Sequence, residues 1–171
     1  MLTLSLFRHG KSSWDDPALK DFDRPLSERG RSAVPRMGAF MAARRIAPEL
    51  VLCSPAVRTR QSLDLLLPYL KNGPTVVYED GFYLASASAL LKRVRQIESK
   101  MHHVMIVGHD PGLHGLALDL AGDGNPEELQ VLSSKFPTAG LAVIAFKTRD
   151  WSGVKAGTGR LTLFITPRRL S

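Results

Sequence analysis

The sequence predicts an α/β fold: a three-layer α/β/α sandwich around a mostly parallel sheet, with a C-terminal antiparallel hairpin. Three observations predict it. Short apolar, β-rich runs alternate with longer helical stretches as far as Leu120. One of those stretches places Leu90, Val94 and Ile97 at i, i+4 and i+7, a single apolar stripe suited to covering a sheet. The last two β-rich runs bracket TRDWSGVKAGTGR, whose glycines suit a hairpin loop.

The strands are expected at residues 3–8, 50–53, 75–78, 104–107, 141–146 and 161–165. Helices are expected at 27–45, 55–70, 87–100 and 111–120. Pro35 falls inside the first helical stretch, so that helix should kink or begin later than Ser27. Strand–helix–strand alternation makes the earlier strands parallel, joined by right-handed crossovers. No repeat, low-complexity tract or linker divides the chain, and 171 residues suffice for one core, so one domain over 1–171 is expected.

Cys53 is the only cysteine, which excludes an internal disulfide framework and suits a reducing compartment. The start, MLTLSLFRHG, has no basic leader region, and its apolar run is too short for a signal peptide or a membrane span. A cytoplasmic protein without membrane contact is the expectation. The net charge of +7 favours an anionic partner. The cations are scattered and no aromatics interleave with them, so nucleic acid is not the expected partner.

Three strand ends carry the functional signal. The first strand runs into RHG, the second into CSPAVRTR and the fourth into VGHDPG. Ser54 and Asp110 read as helix N-caps, with Pro55 and Pro111 as first helical residues. Parallel sheets bind ligands beyond the carboxyl ends of their strands. The topology therefore delivers Arg8, His9, Arg58 and His109 to one edge, beside helix N-termini that favour anions. Two guanidiniums and two imidazoles suit a phosphoryl group, because arginine forks match phosphate oxygens. No Gly-x4-Gly-Lys loop is present, which excludes a nucleotide P-loop. His9 is the expected nucleophile, kept neutral by the arginines, with Gly10 allowing a tight turn. His109 is the expected phosphate donor, more useful protonated.

RHGKSSW, RPLSERG, LCSPAVRTRQS and VGHDPGL together resemble the histidine phosphatase superfamily, the phosphoglycerate-mutase-like group. Their order and the short chain are similar to its SixA-type phosphohistidine phosphatases. The resemblance implies a phosphohistidine intermediate on His9, a phosphate pocket of Arg8, Arg58 and His109, and no metal or other cofactor. Where many larger relatives carry Asn after the first motif's Trp, this chain has Asp15, which cannot donate when ionised. The larger relatives also insert a lid and a glutamate acid, for which this chain has little room. Glu79 or Asp80, at the end of the third strand, is the candidate general acid, with Asp21 and Asp23 as rivals.

The leaving group then decides the substrate. An imidazole, with an ordinary pKa of about 6.5, departs with less help than an alkoxide. A short site without a lid also admits a protein surface. Removal of phosphate from phosphohistidine on a protein is therefore the expected function. A phosphatase or mutase for a small phosphorylated metabolite is the alternative, and a non-catalytic phosphate-binding module is the alternative of another class. His102, His103, His109 and His114 fit no common zinc spacing. His102 and His103 are expected on the surface, and His114 in a structural role.

Overall fold

A computed structural model describes residues 1–170. Its strands are β1 (Leu2–Arg8), β2 (Leu50–Cys53), β3 (Thr75–Tyr78), β4 (His103–Gly108), β5 (Ala121–Gly124), β6 (Leu141–Phe146) and β7 (Gly159–Ile165). The helices are α1 (Glu28–Ala43), α2 (Val57–Leu66), α3 (Ala87–Val94), α4 (Gly112–Leu120) and α5 (Pro126–Ser134). The strands form one sheet in the order β3-β2-β4-β1-β6-β7-β5. The four strands β3, β2, β4 and β1 pair in parallel. β6 runs antiparallel to β1 and to β7, and β5 joins β7 in parallel.

Period-two alternation splits the core into two layers. Leu4, Leu6, Leu52, Val104, Ile106 and Ile144 face α3, α4 and α5, where Leu90, Leu116 and Leu132 meet them. Phe7, Val51, Cys53, Met105, Val107 and Leu141 face the other way, toward Val34, Met37 and Leu63 of α1 and α2. Buried on both faces, β1, β2 and β4 read as near-continuous apolar runs, which is why the sequence locates them within one or two residues.

The expected three-layer architecture and C-terminal hairpin are present. Several local details differ. α1 begins at Glu28, capped by Ser27 Oγ on the Gly30 N–H, and carries Pro35 within it rather than starting late. α3 ends at Val94, short of the expected residue 100. The edge strand β5 and helix α5 were not expected. β5 is AGDG, a composition with no β-propensity, held by pairing to β7 and by Gly122, where a Cβ would lie 2.0 Å from the Gly157 carbonyl oxygen. α5 has ordinary start signals: Asn125 accepts from the N–H groups of Glu127 and Glu128, and Pro126 opens the helix. No helix among the described residues is long and apolar enough to cross a membrane.

Candidate active site

Because β2, β4 and β1 are parallel neighbours, their carboxyl ends lie side by side. A pocket of about 230 Å³ opens there, and Arg8, His9, Arg58 and His109 all line it. The four residues expected from three separate strand ends are brought together. The His9 and His109 rings stand 5.3 Å apart, centroid to centroid. His9, Arg58 and His109 are each buried.

Gly10 fixes how the strand leaves the sheet, though not by an unusual turn. A Cβ there would sit 2.7 Å from Val34 Cγ2, and one on Gly30 would sit 2.3 Å from the Lys11 carbonyl oxygen. The two glycines let the end of β1 press directly onto the first turns of α1. The Gly10 N–H donates to Ser62 Oγ of α2 at 2.9 Å. The backbone beside His9 is thus held from both helices of that layer.

His9 Nδ1 lies 2.6 Å from the Gly10 carbonyl oxygen, which can only accept, so Nδ1 carries the proton and Nε2 has the free lone pair. Arg58 Nε donates weakly to that nitrogen at 3.4 Å. Burial pushes the His9 pKa down to about 3, and His109, Arg58 and Arg8 push the same way. A neutral imidazole whose lone pair is engaged only by this long contact from Arg58 can accept a phosphoryl group.

His109 is also held neutral, with its pKa lowered to about 4, first by burial and then by Arg58. The expectation of a protonated His109 does not fit the free pocket. Ser54 supplies another way to donate. Its Oγ lies 2.7 Å from His109 Nε2 and accepts the Ala56 N–H at 3.4 Å; His109 Nε2 is the one acceptor this hydroxyl meets among the described residues, so its proton goes to the imidazole. Nδ1 then carries the ring proton, and this nitrogen is buried without a partner. Ser54 is not the helix cap: α2 starts at Val57 after Ala56, and Ser54 Oγ meets the Ala56 N–H, ahead of the first helical residue. Likewise α4 starts at Gly112 after Pro111, and Asp110 does not cap it.

The cations are held unequally. Arg58 Nη1 donates to the Asp21 carbonyl oxygen at 2.7 Å and Nη2 to Asp21 Oδ2 at 3.0 Å. Tyr83 donates its hydroxyl proton to that same carboxylate oxygen, and Arg24 Nη1 to the other at 3.0 Å. These bonds, Tyr83's foremost, lower the Asp21 pKa to about 2. Arg8 donates through Nη1 to the Phe136 carbonyl oxygen at 2.9 Å, while its Nε is buried without a partner. Burial lowers the Arg8 pKa, and attraction to Asp110 opposes that. Arg8 Nε, His109 Nδ1 and Asp110 Oδ1 are the three buried polar side-chain atoms left unpaired among the described residues. All three belong to residues of this one pocket. The Arg8 and His109 nitrogens are costly to leave empty and ready for an anionic ligand, whereas the Asp110 oxygen can only accept a proton-bearing group.

The general-acid candidates fare differently. Glu79 is paired to Arg93 Nε at 2.7 Å, and neither it nor Asp80 lines the pocket. Glu79 is held there by Arg93, in the last turn of α3, which reaches back to the end of β3. Asp21 comes into contact with the site through Arg58, but as a bound carboxylate without a proton to give. Sequence reasoning missed Tyr83 and Arg24 as supports, and Asp110 as the one carboxyl group lining the pocket. Away from the site, His114 Nε2 meets the Leu132 carbonyl oxygen at 2.6 Å, a structural contact as expected. His102 is exposed, but His103 is half-buried against Ser5 Oγ at 2.7 Å rather than on the surface.

The family model described as "Histidine phosphatase superfamily (branch 1)" matches residues 4–82, a span ending just past β3. An uncharacterised protein of Mycobacterium leprae is 32% identical over 165 residues, covering 94% of this chain and 99% of that protein. A crystal structure from Agrobacterium tumefaciens, described as a candidate phosphohistidine phosphatase SixA, superposes with a TM-score of 0.80 at 32% identity, covering 97% of this chain and 98% of that one. The chain belongs to the histidine phosphatase superfamily. Within this superfamily it is of the SixA type, and its activity class is that of a phosphatase. An α-ribazole-5′-P phosphatase candidate from Escherichia coli shares the histidine phosphatase fold at a TM-score of 0.70 and 14% identity, over 98% of both chains.

Proposed function

We propose that this phosphatase removes the phosphoryl group from phosphohistidine on a protein, through a covalent intermediate on His9. The observation that carries the reading is the state of the carboxyl groups around the pocket. Asp21 is held ionised by Tyr83, Arg58 and Arg24, Glu79 is spent on Arg93, and Asp110, the one carboxyl group lining the pocket, serves as the base of the second step. A site so furnished favours a leaving group that departs with little protonation, as an imidazole does. The mouth of the pocket supports a protein substrate. Trp14 and Leu84 line it while remaining 75% and 54% exposed, an apolar rim open to a broad surface.

In the first step the His9 Nε2 lone pair attacks phosphorus and the P–N bond to the substrate histidine breaks. The departing ring takes a proton from solvent and leaves neutral. Arg8, Arg58 and the Nδ1–H of His109 hold the phosphoryl oxygens meanwhile. In the second step water attacks phosphorus, the P–N bond to His9 breaks, and inorganic phosphate leaves. Asp110, whose buried Oδ1 has no other partner, takes the proton from that water. No step calls on a metal. The buried free thiol of Cys53 is in keeping with a reducing compartment such as the cytoplasm.

The test is leaving-group dependence of kcat/KM. A phosphohistidine peptide and p-nitrophenyl phosphate should turn over, and phosphoserine and sugar phosphates should lag by about 10²–10⁴-fold, the usual worth of a placed acid. Sugar phosphates hydrolysed as fast as the phosphohistidine peptide would assign the enzyme to metabolites instead.

A further inference from the structure

A second and larger depression, about 620 Å³, lies directly beside the phosphate pocket and shares Lys11 and Thr138 with it. Its walls come from the first turns of α1, from α5 and from the segment after β7. Five cations line it (Lys11, Arg29, Lys135, Arg168 and Arg169) against one carboxylate, Glu127. All six side chains are exposed. Between them Ala33, Val131, Pro137 and Pro167 form an apolar floor, each partly covered. The groove is tied to the nucleophile's strand. The Ala139 N–H donates to the carbonyl oxygens of Arg8 and His9, both at 2.9 Å, and Arg8 Nη1 donates to that of Phe136.

We propose that this groove binds an acidic stretch of the phosphorylated protein while its phosphohistidine occupies the pocket. The proposal rests on the phosphoprotein reading and adds the partner's character. Five cations against one anion call for carboxylates, and opposed charges across an interface set register and speed encounter. The apolar floor suits the aliphatic stems and backbone of an extended chain. Open walls of long, solvated side chains suit an exchangeable peptide better than an enclosed metabolite. No aromatic side chain lines the groove, so the stacking platform that a nucleic acid strand uses is missing.

The experiment uses three phosphohistidine peptides with four glutamates, four glutamines or four lysines flanking the phosphorylated residue. They are assayed for phosphate release with the wild-type enzyme and with the triple variant Lys135→Glu, Arg168→Glu, Arg169→Glu. None of these three residues touches the phosphate pocket, so p-nitrophenyl phosphate should be hydrolysed equally by both enzymes. The wild type should prefer the glutamate peptide to the glutamine peptide by about tenfold in kcat/KM, as a few exposed ion pairs allow. That preference should fade in high salt. The triple variant should prefer the lysine peptide, a reversal that a merely damaged protein would not show. Equal rates on all three peptides with the wild type would overturn the proposal. A single-stranded oligonucleotide that competes with all three equally, and loses this effect in the variant, would assign the groove to nucleic acid and overturn it too. Failure of the phosphohistidine reading looks different, with every peptide slower than a sugar phosphate, and takes this proposal with it.

Discussion

The two halves of the sheet come to the same edge with different equipment. In the parallel half, β1 and β4 run into His9 and His109, and the helix after β2 carries Arg58, all of them buried, neutralised or tied. In the antiparallel half, β6 begins and β7 ends at that same edge, because β6 opposes both β1 and β7. What this half offers there is exposed: Lys135, Arg168 and Arg169 around an open groove. Under the proposed function and the proposed groove, the difference separates two tasks. A preorganised group must not move, and burial with fixed partners keeps it still. A docking group must tolerate varied partners, and solvated charges on long stems do so cheaply.

Substitutions can break or sharpen this division. In the proposed mechanism no side chain but His9 supplies the covalent nucleophile, so His9→Ala should abolish turnover. As much as a tenth of wild-type activity, measured by phosphate release, would remove His9 from that role. Asp110→Asn should still form the phosphoenzyme but hydrolyse it some 10²–10⁴-fold more slowly, visible as a burst in rapid-quench assays. Loss of the burst itself would place Asp110 in the first step. Arg8→Ala and Arg58→Ala should each cost about 10²–10³ in kcat, the price of one preorganised donor.

The antiparallel half should respond in stability rather than chemistry. A Cβ on Gly159 would meet Ile144 Cγ2 at 2.4 Å and the Leu120 carbonyl oxygen at 2.9 Å. Gly159→Ala should therefore cost about 1–3 kcal/mol by overpacking, read as a drop of several degrees in Tm, with activity per folded molecule retained. A large fall in kcat would couple the halves more tightly than their contacts suggest.

The smallest effect is a titration that does not happen. With folded pKa values of about 3 and 4 against 6.5 when unfolded, His9 and His109 should show no NMR titration from pH 8 to pH 5. Over that range the unfolded chain binds protons that the native pocket refuses. Stability must then fall as pH drops below about 6.5 and go on falling toward the folded values. A denaturation midpoint that holds steady from pH 7 to pH 5 would contradict the burial of both rings.

What was legible in the sequence follows the same division. β1, β2 and β4 are buried on both faces, so their apolar runs mark them, and strand-end logic leads to Arg8, His9, Arg58 and His109. β5 could not be read, since AGDG becomes a strand only through its partner β7. α5 has its start signals in NPEE, but no long apolar run follows them to mark the helix. Asp21 as the anchor of Arg58 depends on a fold that brings positions 37 apart into contact, which no local pattern encodes. Ser54 and Asp110 looked like helix caps because their residue types suit both tasks. Only the position of His109 shows that Ser54 serves the site.

The rim of the pocket has an optical consequence. The chain has two tryptophans. Trp14 stands 75% exposed at the pocket mouth with the Arg24 guanidinium 3.1 Å from its ring centre. Trp151 is wholly buried in the opposite layer, its indole N–H donating to the Met101 carbonyl oxygen at 2.6 Å. The two indoles therefore emit from unlike surroundings, one red-shifted and open to iodide quenching, the other blue-shifted and shielded. A protein settling over the mouth would shelter the first and leave the second unchanged, while unfolding would expose the second. Intrinsic fluorescence thus distinguishes occupancy from denaturation without any added label.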